Sequence, residues 1–261
     1  SKSIYDSKEV LDIDLKMSSQ FKLLEDCKAS NKNFDSIGNL TESGNRYSLN
    51  NGYYDYTDAV FLYNIMLYFK PKKFFEVGCG FSTALALDTD EMSLSDSIEY
   101  LLIEPYPERL KGLIKKEDFQ SKRINLIEDI VQNVDPIKFQ ALESNDILFI
   151  DSTHICKLGS DVNFLFFEIL PLLKSGVLIH LHDIFFPFEY SKTHFLQESL
   201  SFNELYLLRA FLMNNNDYEI ICWPHYLFHK NSSWFKENAP KIYEHEMEDE
   251  EGAGSIWLRK K

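Results

Sequence analysis

Cysteine is scarce and unpaired: Cys27, Cys79, Cys156 and Cys222 lie far apart, with no C-x-x-C among them. That spacing gives no sign of a disulfide framework and suits a reduced, cytosolic protein with incidental thiols. Basic residues are scarce too. Lys and Arg number 27 against 41 Asp and Glu, a formal net charge of −14. Such a balance argues against a protein that grips nucleic acid through its phosphates, which needs a basic surface. No apolar run reaches the roughly 18 residues of a membrane span. The polar, charged N-terminus lacks the apolar core of a secretory signal. It starts with Ser1 rather than Met, as expected of a trimmed chain or of a piece of a longer protein. Internal repeats and low-complexity tracts are also missing.

What is present is a large apolar inventory. Of 261 residues 44% are hydrophobic and 15% aromatic, with 21 Phe and 14 Tyr, ample for a core and far from a disordered composition. The length fits one domain with extensions, or a large domain plus a small one. Residues 1–55 are polar, with Asn/Ser/Gly clusters, and read as an extension of a helix or two plus loops that caps the main domain. Residues 56–261 read as that domain. A helix is expected from Thr57, as N-cap, to Lys70-Pro71. Strand and helix patterns then alternate, the signature of a parallel sheet with crossover helices.

Strands are expected at Lys73–Val77, Tyr100–Glu104, Arg123–Ile127, Asp146–Asp151 and Val177–Asp183, nearly all apolar, as when helices cover both faces of a sheet. Helices are expected from Ser82, from Pro107 to about Lys115, over about Val162–Leu173 with a stop at Gly176, and over Asn203–Leu212. Tyr218–Trp223 and Gly254–Leu258 read as two last strands, a hairpin joined by a long loop. The acidic run Glu244–Glu251 reads as a solvated loop.

In an open α/β sheet, ligands bind outside the carboxyl ends of the strands, so residues ending strands carry the information. The first strand ends at Glu76-Val77-Gly78-Cys79-Gly80 and feeds a helix, a turn whose glycines let backbone press against a ligand. The dinucleotide fingerprint wants a third glycine where Thr83 stands. Glu104 ends the second strand at the place of an acid that accepts from ribose hydroxyls, about 20–30 residues after the turn. Asp129, or Glu128 beside it, ends the third and is a candidate for a base amino group. The fourth ends at Asp151-Ser152-Thr153-His154 and the fifth at His180-Leu181-His182-Asp183. Alternation puts His180 and His182 on one side of the fifth strand, with His182 nearer the rim. His180 is expected to be a buried, hydrogen-bonded strand residue.

Two readings of this rim stand side by side. In one, a histidine takes a proton from an acceptor hydroxyl. In the other, Asp151, His182 and Asp183 hold a divalent ion that lowers the acceptor's pKa. The H-x-H pair alone is a weak zinc signal, because no further ligands follow at short spacing. His194, His225 and His229 are candidates for lining an acceptor pocket.

The acid two before the first glycine, followed by Phe81-Ser82-Thr83, resembles the first motif of class I S-adenosylmethionine-dependent methyltransferases. The resemblance runs from about Tyr56 to Arg259, and it is specifically to the bacterial group known as methyltransferase family 24. It rests on Lys70–Thr83, Ile103–Pro107, Phe149–His154, Gly159–Pro171, His180–Tyr190, Asn203–Leu208 and Gly254–Arg259. The resemblance implies a Rossmann-like, seven-stranded, mostly parallel sheet with one antiparallel strand. It also implies cofactor over the first two strands and acceptor over the fourth and fifth. Glu76, Gly78, Gly80, Ser82, Glu104, Asp129 and Asp151 are then the cofactor-binding candidates, and Asp151, His154, His182 and Asp183 the catalytic ones. Related small-molecule O-methyltransferases hold a divalent ion, magnesium or similar, at the positions of Asp151, His182 and Asp183; His182 stands where an acid is commoner. Members look like tailoring enzymes for sugars, surface polysaccharides or small natural products, so the expected reaction is methyl transfer to a hydroxyl of such an acceptor. The alternatives are an NAD-linked oxidoreductase on a similar sheet and a non-catalytic cofactor-binding domain of a larger polysaccharide-assembly protein. The aromatic stretches Phe185–Tyr190 and Trp223–Phe228 fit either an interface of a homo-oligomer or packing over the site.

Overall fold

The computed structural model describes residues 10–31, 33–34, 44–49, 51–190, 201–248 and 252–261. Seven strands form one sheet: β1 Lys73–Val77, β2 Glu99–Ile103, β3 Ile124–Ile127, β4 Ile147–Ile150, β5 Leu178–His182, β6 Tyr218–Cys222 and β7 Ser255–Lys260. Their order is β3-β2-β1-β4-β5-β7-β6. Every pairing is parallel except the two made by β7, which runs against both β5 and β6. This is the Rossmann-like sheet expected from the sequence. The order reverses between β1 and its neighbours β2 and β4, and the cleft at such a switch point is where open α/β sheets receive ligands.

Alternation along each strand feeds two cores. Phe74, Tyr100, Phe149 and Trp257 pack on one face with the helices Tyr56–Phe69 and Phe81–Ser93. Phe75, Leu101, Leu148 and Ile179 pack on the other with the segment from Asp161 and the helix Glu204–Leu212. With both faces covered, the strands need no polar side, which is why their sequences read as unbroken apolar runs.

Several local expectations change. The helix Tyr56–Phe69 starts after Asp55, and Thr57 lies inside its first turn, Oγ1 3.4 Å from His245 Nδ1. The segment expected as one long helix is α-helical only over Asp161–Phe164. It continues as a π turn, Leu165–Ile169, and a 3-10 turn, Leu170–Leu172. Pro171 offers no N–H to an α ladder and crowds the preceding turn, so a regular helix cannot run through it. β6 and β7 do pair, yet their connection is two helices, Pro224–Asn238 and Pro240–Glu248, rather than a loop. Residues 244–248 of the acidic run are therefore helical, while 249–251 lie outside the described residues. Glu246 is buried there and accepts from the Ala253 amide. The aromatic stretches Phe185–Tyr190 and Trp223–Phe228 are mostly buried and pack on one another, Phe188 and Phe186 against Trp223 at 4.5 and 5.6 Å.

The described early residues are anchored to the main body by, among others, two buried contacts. The helix Met17–Cys27 reaches the sheet edge, where Gln20 accepts from the Trp223 amide at 2.7 Å. Arg46, with only 5% of its side chain exposed, pairs with Asp88 at 2.8 Å, Glu91 at 2.7 Å and Asp118 at 2.6 Å. Removing a buried ion-pair partner strands the opposite charge, at a cost of about 3–5 kcal/mol. Arg46→Met is therefore expected to lower stability by about that amount, read as a shift of the urea midpoint at unchanged m-value.

Candidate active site

At the carboxyl end of β1 the chain must turn immediately beneath the end of β4. Gly78 sits at φ +84°, and a Cβ there would lie 1.7 Å from the Asp151 carbonyl oxygen, so only glycine fits. Glu76 just before the turn is completely buried and does not line the cavity. Its two oxygens accept from the Ser82 and Thr83 hydroxyls, each at 2.5 Å. Thr83, occupying the place of a dinucleotide glycine, thus ties the turn to the helix that follows. Burial, reinforced by Asp151 and Glu104 and offset by the two hydroxyls, pushes the Glu76 carboxyl up to about 8.

Glu104 is held by two backbone amides, Cys79 at 3.0 Å and Tyr106 at 2.8 Å. It stands between two cavities. One, of about 310 Å³, is lined by Gly78, Gly80, Ser82, Arg109, His182 and Asp183, among others. The other, of about 490 Å³, is lined on its apolar side by Val77, Ile103, Pro105, Ile130, Val131 and Ile155. Gly78, Glu104, Asp151 and Ser152 border both, and the Ser152 hydroxyl is buried with no partner among the described residues. Asp129 borders neither. It accepts from the Ile130 amide at 2.8 Å and from Asn133 at 2.9 Å, shaping the turn that presents Ile130 and Val131. Glu128 pairs instead with Lys111 at 2.6 Å.

The ends of β4 and β5 meet through His154. Its Nε2 lies 3.2 Å from Asp151 Oδ1 and 3.3 Å from Asp183 Oδ2, and its Nδ1 lies 2.9 Å from Glu204 Oε2. His154 and Asp183 both hold left-handed backbone, φ +57° and +56°, a conformation costing of order 1 kcal/mol or more that the surrounding contacts must offset. Burial opposes charge on the imidazole, but Asp183, Asp151 and Glu204 together hold its pKa well above the ordinary value. Asp151 in turn stays below its ordinary value: the charges of His182 and His154 outweigh burial.

This arrangement corrects the metal expectation. The space between the Asp151 and Asp183 carboxylates, where an ion would bind, contains the His154 ring. His182 Nε2 lies 3.9 Å from Asp183 Oδ1, and no group of three or more His, Cys, Asp or Glu among the described residues is arranged to hold a metal. The donor set does not fit the ion.

His182 is 8% exposed, and its Nδ1 has no partner among the described residues. Burial lowers its proton affinity, yet Asp151, Asp183 and Asp58 raise it further, and the net pKa lies above the ordinary 6.5. His182 lines a third cavity of about 290 Å³, with Asp55, Asp58, Asp183, Phe185 and His245. Tyr53, His182 and Asp183 border both this cavity and the one at the glycine turn. His180 is wholly buried between Phe149 at 3.8 Å and Trp257 at 4.6 Å. Contrary to expectation neither of its ring nitrogens has a partner among the described residues, and burial pushes its pKa well down. His225 and His229 face each other at 3.0 Å and brace the segment after β5, with the Phe186 amide donating to His225 Nδ1 at 2.7 Å; they do not line these cavities. His194 lies outside the described residues.

Residues 75–184, from β1 to just past β5, match the family described as Methyltransferase domain. Over those residues the chain is similar to a methyltransferase domain. An uncharacterized protein of Archaeoglobus fulgidus is 33% identical to it over 141 residues, which is 53% of this chain and 62% of that protein. The chain thus aligns with under two thirds of that relative's length. The SAH-bound Podospora anserina methyltransferase PaMTH1 superposes with a TM-score of 0.47 at 15% identity, over 93% of this chain and 88% of its own. The Bacillus cereus O-methyltransferase in complex with SAH gives 0.40 at 14% identity, over 98% and 96%. Likenesses of that strength carry no argument about activity. At this site the sequence reading missed Tyr53, Asp58, Arg109 and Glu204. Asp58 reads as an ordinary acid in a first helical turn, and the other three sit outside any strand-end motif.

Glu76 supplies a test of the turn. Its proton is bound more tightly in the folded than in the unfolded state, so between its ordinary 4.5 and about 8 stability falls as pH rises. The slope approaches about 1.4 kcal/mol per pH unit at most. Glu76→Gln is expected to flatten that window in denaturation midpoints measured from pH 5 to 8.

Proposed function

We propose that this chain transfers the methyl group of S-adenosylmethionine to a hydroxyl of a small, polar acceptor, a sugar or a surface-polysaccharide precursor. The observation that carries the reading is the wall shared by two cavities: Tyr53, His182 and Asp183 border both the glycine-turn cavity and the polar cavity beside it. A donor in the first and an acceptor in the second would meet at His182.

The residues fit the donor. Val77, Ile103, Ile130 and Val131 suit an adenine ring, and the Glu104 carboxylate between the cavities suits ribose hydroxyls. Bound there, S-adenosylmethionine would supply an electrophilic methyl group on its sulfonium. Asp151 and Asp183 place negative charge where a sulfonium would lie.

The acceptor cavity favours a polyhydroxylated ring. Asp55, Asp58 and Asp183 are hydroxyl acceptors, while Tyr53 and Phe185 offer aromatic surface to the apolar side of a sugar. Tyr53 and Asp55 come from the first 55 residues, which we read as a cap that shapes acceptor choice. The His182 ring would take the acceptor proton, and the surrounding acids would stabilise the imidazolium. His154 would keep Asp151 and Asp183 apart and oriented, so positioning rather than a metal ion prepares the attack. The four free cysteines suit a cytoplasmic setting.

Calorimetry with S-adenosylhomocysteine tests the donor site. Glu104→Ala is expected to weaken binding by about 10- to 100-fold; no binding by the unaltered protein would overturn the reading. For catalysis, His182→Ala is expected to lower kcat on an accepted sugar about 100- to 10,000-fold. Because the neutral imidazole is the base, the rate should rise with pH through a pKa above 6.5. Persistence of that acid limb in His182→Gln would exclude His182 as its origin.

A further inference from the structure

Among the described residues, Arg109 is the only Lys or Arg bordering the glycine-turn cavity, whose other ionisable borders include Glu104, Asp151 and Asp183. The short helix Glu108–Leu113 projects it back across the turn, its Cδ 3.7 Å from where a Cβ on Gly80 would stand. Its guanidinium lies 3.9 Å above the Tyr53 ring, which stacks in turn on Phe81 at 5.8 Å and 12°. Among the described residues it makes no hydrogen bond or ion pair, although three carboxylates share its cavity. A guanidinium stacked on a ring keeps its planar fork of donors free for an anion that can be held by two parallel bonds.

We propose that Arg109 binds the carboxylate of the methyl donor's amino-acid portion, with Tyr53 fixing the guanidinium from below. The proposal rests on the donor reading above and deepens it. The donor carries two cationic groups, sulfonium and ammonium, and one carboxylate. The acids around the turn complement the cations and would repel the carboxylate. The apolar cavity beyond Glu104 takes the adenine, so the amino-acid end is directed to the Gly80 side, where the single arginine stands. A site otherwise acidic needs one cation there for the donor to bind as a zwitterion.

The test compares two probes. S-adenosylhomocysteine carries the amino-acid group; 5′-methylthioadenosine has the same nucleoside thioether without it. Calorimetric titration of each is made with the unaltered protein, Arg109→Ala and Arg109→Lys. Arg109→Ala is expected to weaken S-adenosylhomocysteine about 10- to 100-fold while changing 5′-methylthioadenosine by less than about threefold, with Arg109→Lys intermediate. Retained 5′-methylthioadenosine binding also shows that the variant is folded. An equal loss for both probes, or undiminished S-adenosylhomocysteine affinity, would overturn the proposal. Failure of the unaltered protein to bind either probe would instead remove the donor reading, and the proposal with it.

Discussion

One imidazole ring stands among three carboxylates, and the geometry of the candidate site follows from that contact. His154 joins Asp151 after β4, Asp183 after β5 and Glu204 at the start of the helix Glu204–Leu212. Without a cation between them, two acids at the ends of neighbouring parallel strands would repel in a partly desolvated cleft. With it, the two strand ends are locked together and their backbones are held in left-handed conformations that a free loop would abandon. The Asn203 and Glu204 amides both donate to the His154 carbonyl, so backbone and side chain of one residue anchor the same helix.

This lock leaves His182 in a distinct position. Its neighbour Asp183 is turned toward His154, while its own ring lies 5.4 Å from Tyr54 and keeps Nδ1 without a partner among the described residues. The same division of labour holds at the first strand. Glu76 is spent on the turn's own hydroxyls, whereas Glu104, fixed by two amides, faces the cavities.

Much of the fold was legible because burial on both sheet faces writes itself into sequence as apolar runs. All seven strands were expected within a few residues of where they lie. The π and 3-10 distortion around Pro171 and the helical link between β6 and β7 were not, since hydrophobic period alone does not separate a distorted helix from a regular one or an amphipathic helix from a polar loop. At the site, strand-end position drew attention to Glu104, Asp151, His182 and Asp183, which border the glycine-turn cavity, and to His154, which lies between Asp151 and Asp183. It could not say that Asp129 would be consumed by its own turn, or that His154 would occupy the space suggested for an ion.

Sequence by itself determined the class of sheet, the glycine turn and which strand ends carry polar groups, because those depend on local period and on what a backbone can do without a Cβ. Tertiary structure alone decided what those groups touch. Arg109 beside Gly80, Asp58 beneath His182 and Glu204 against His154 come from helices whose sequences look ordinary. Their roles arise from distances between segments far apart in the chain, and pairing of charges across a cleft leaves no periodic trace in a single sequence.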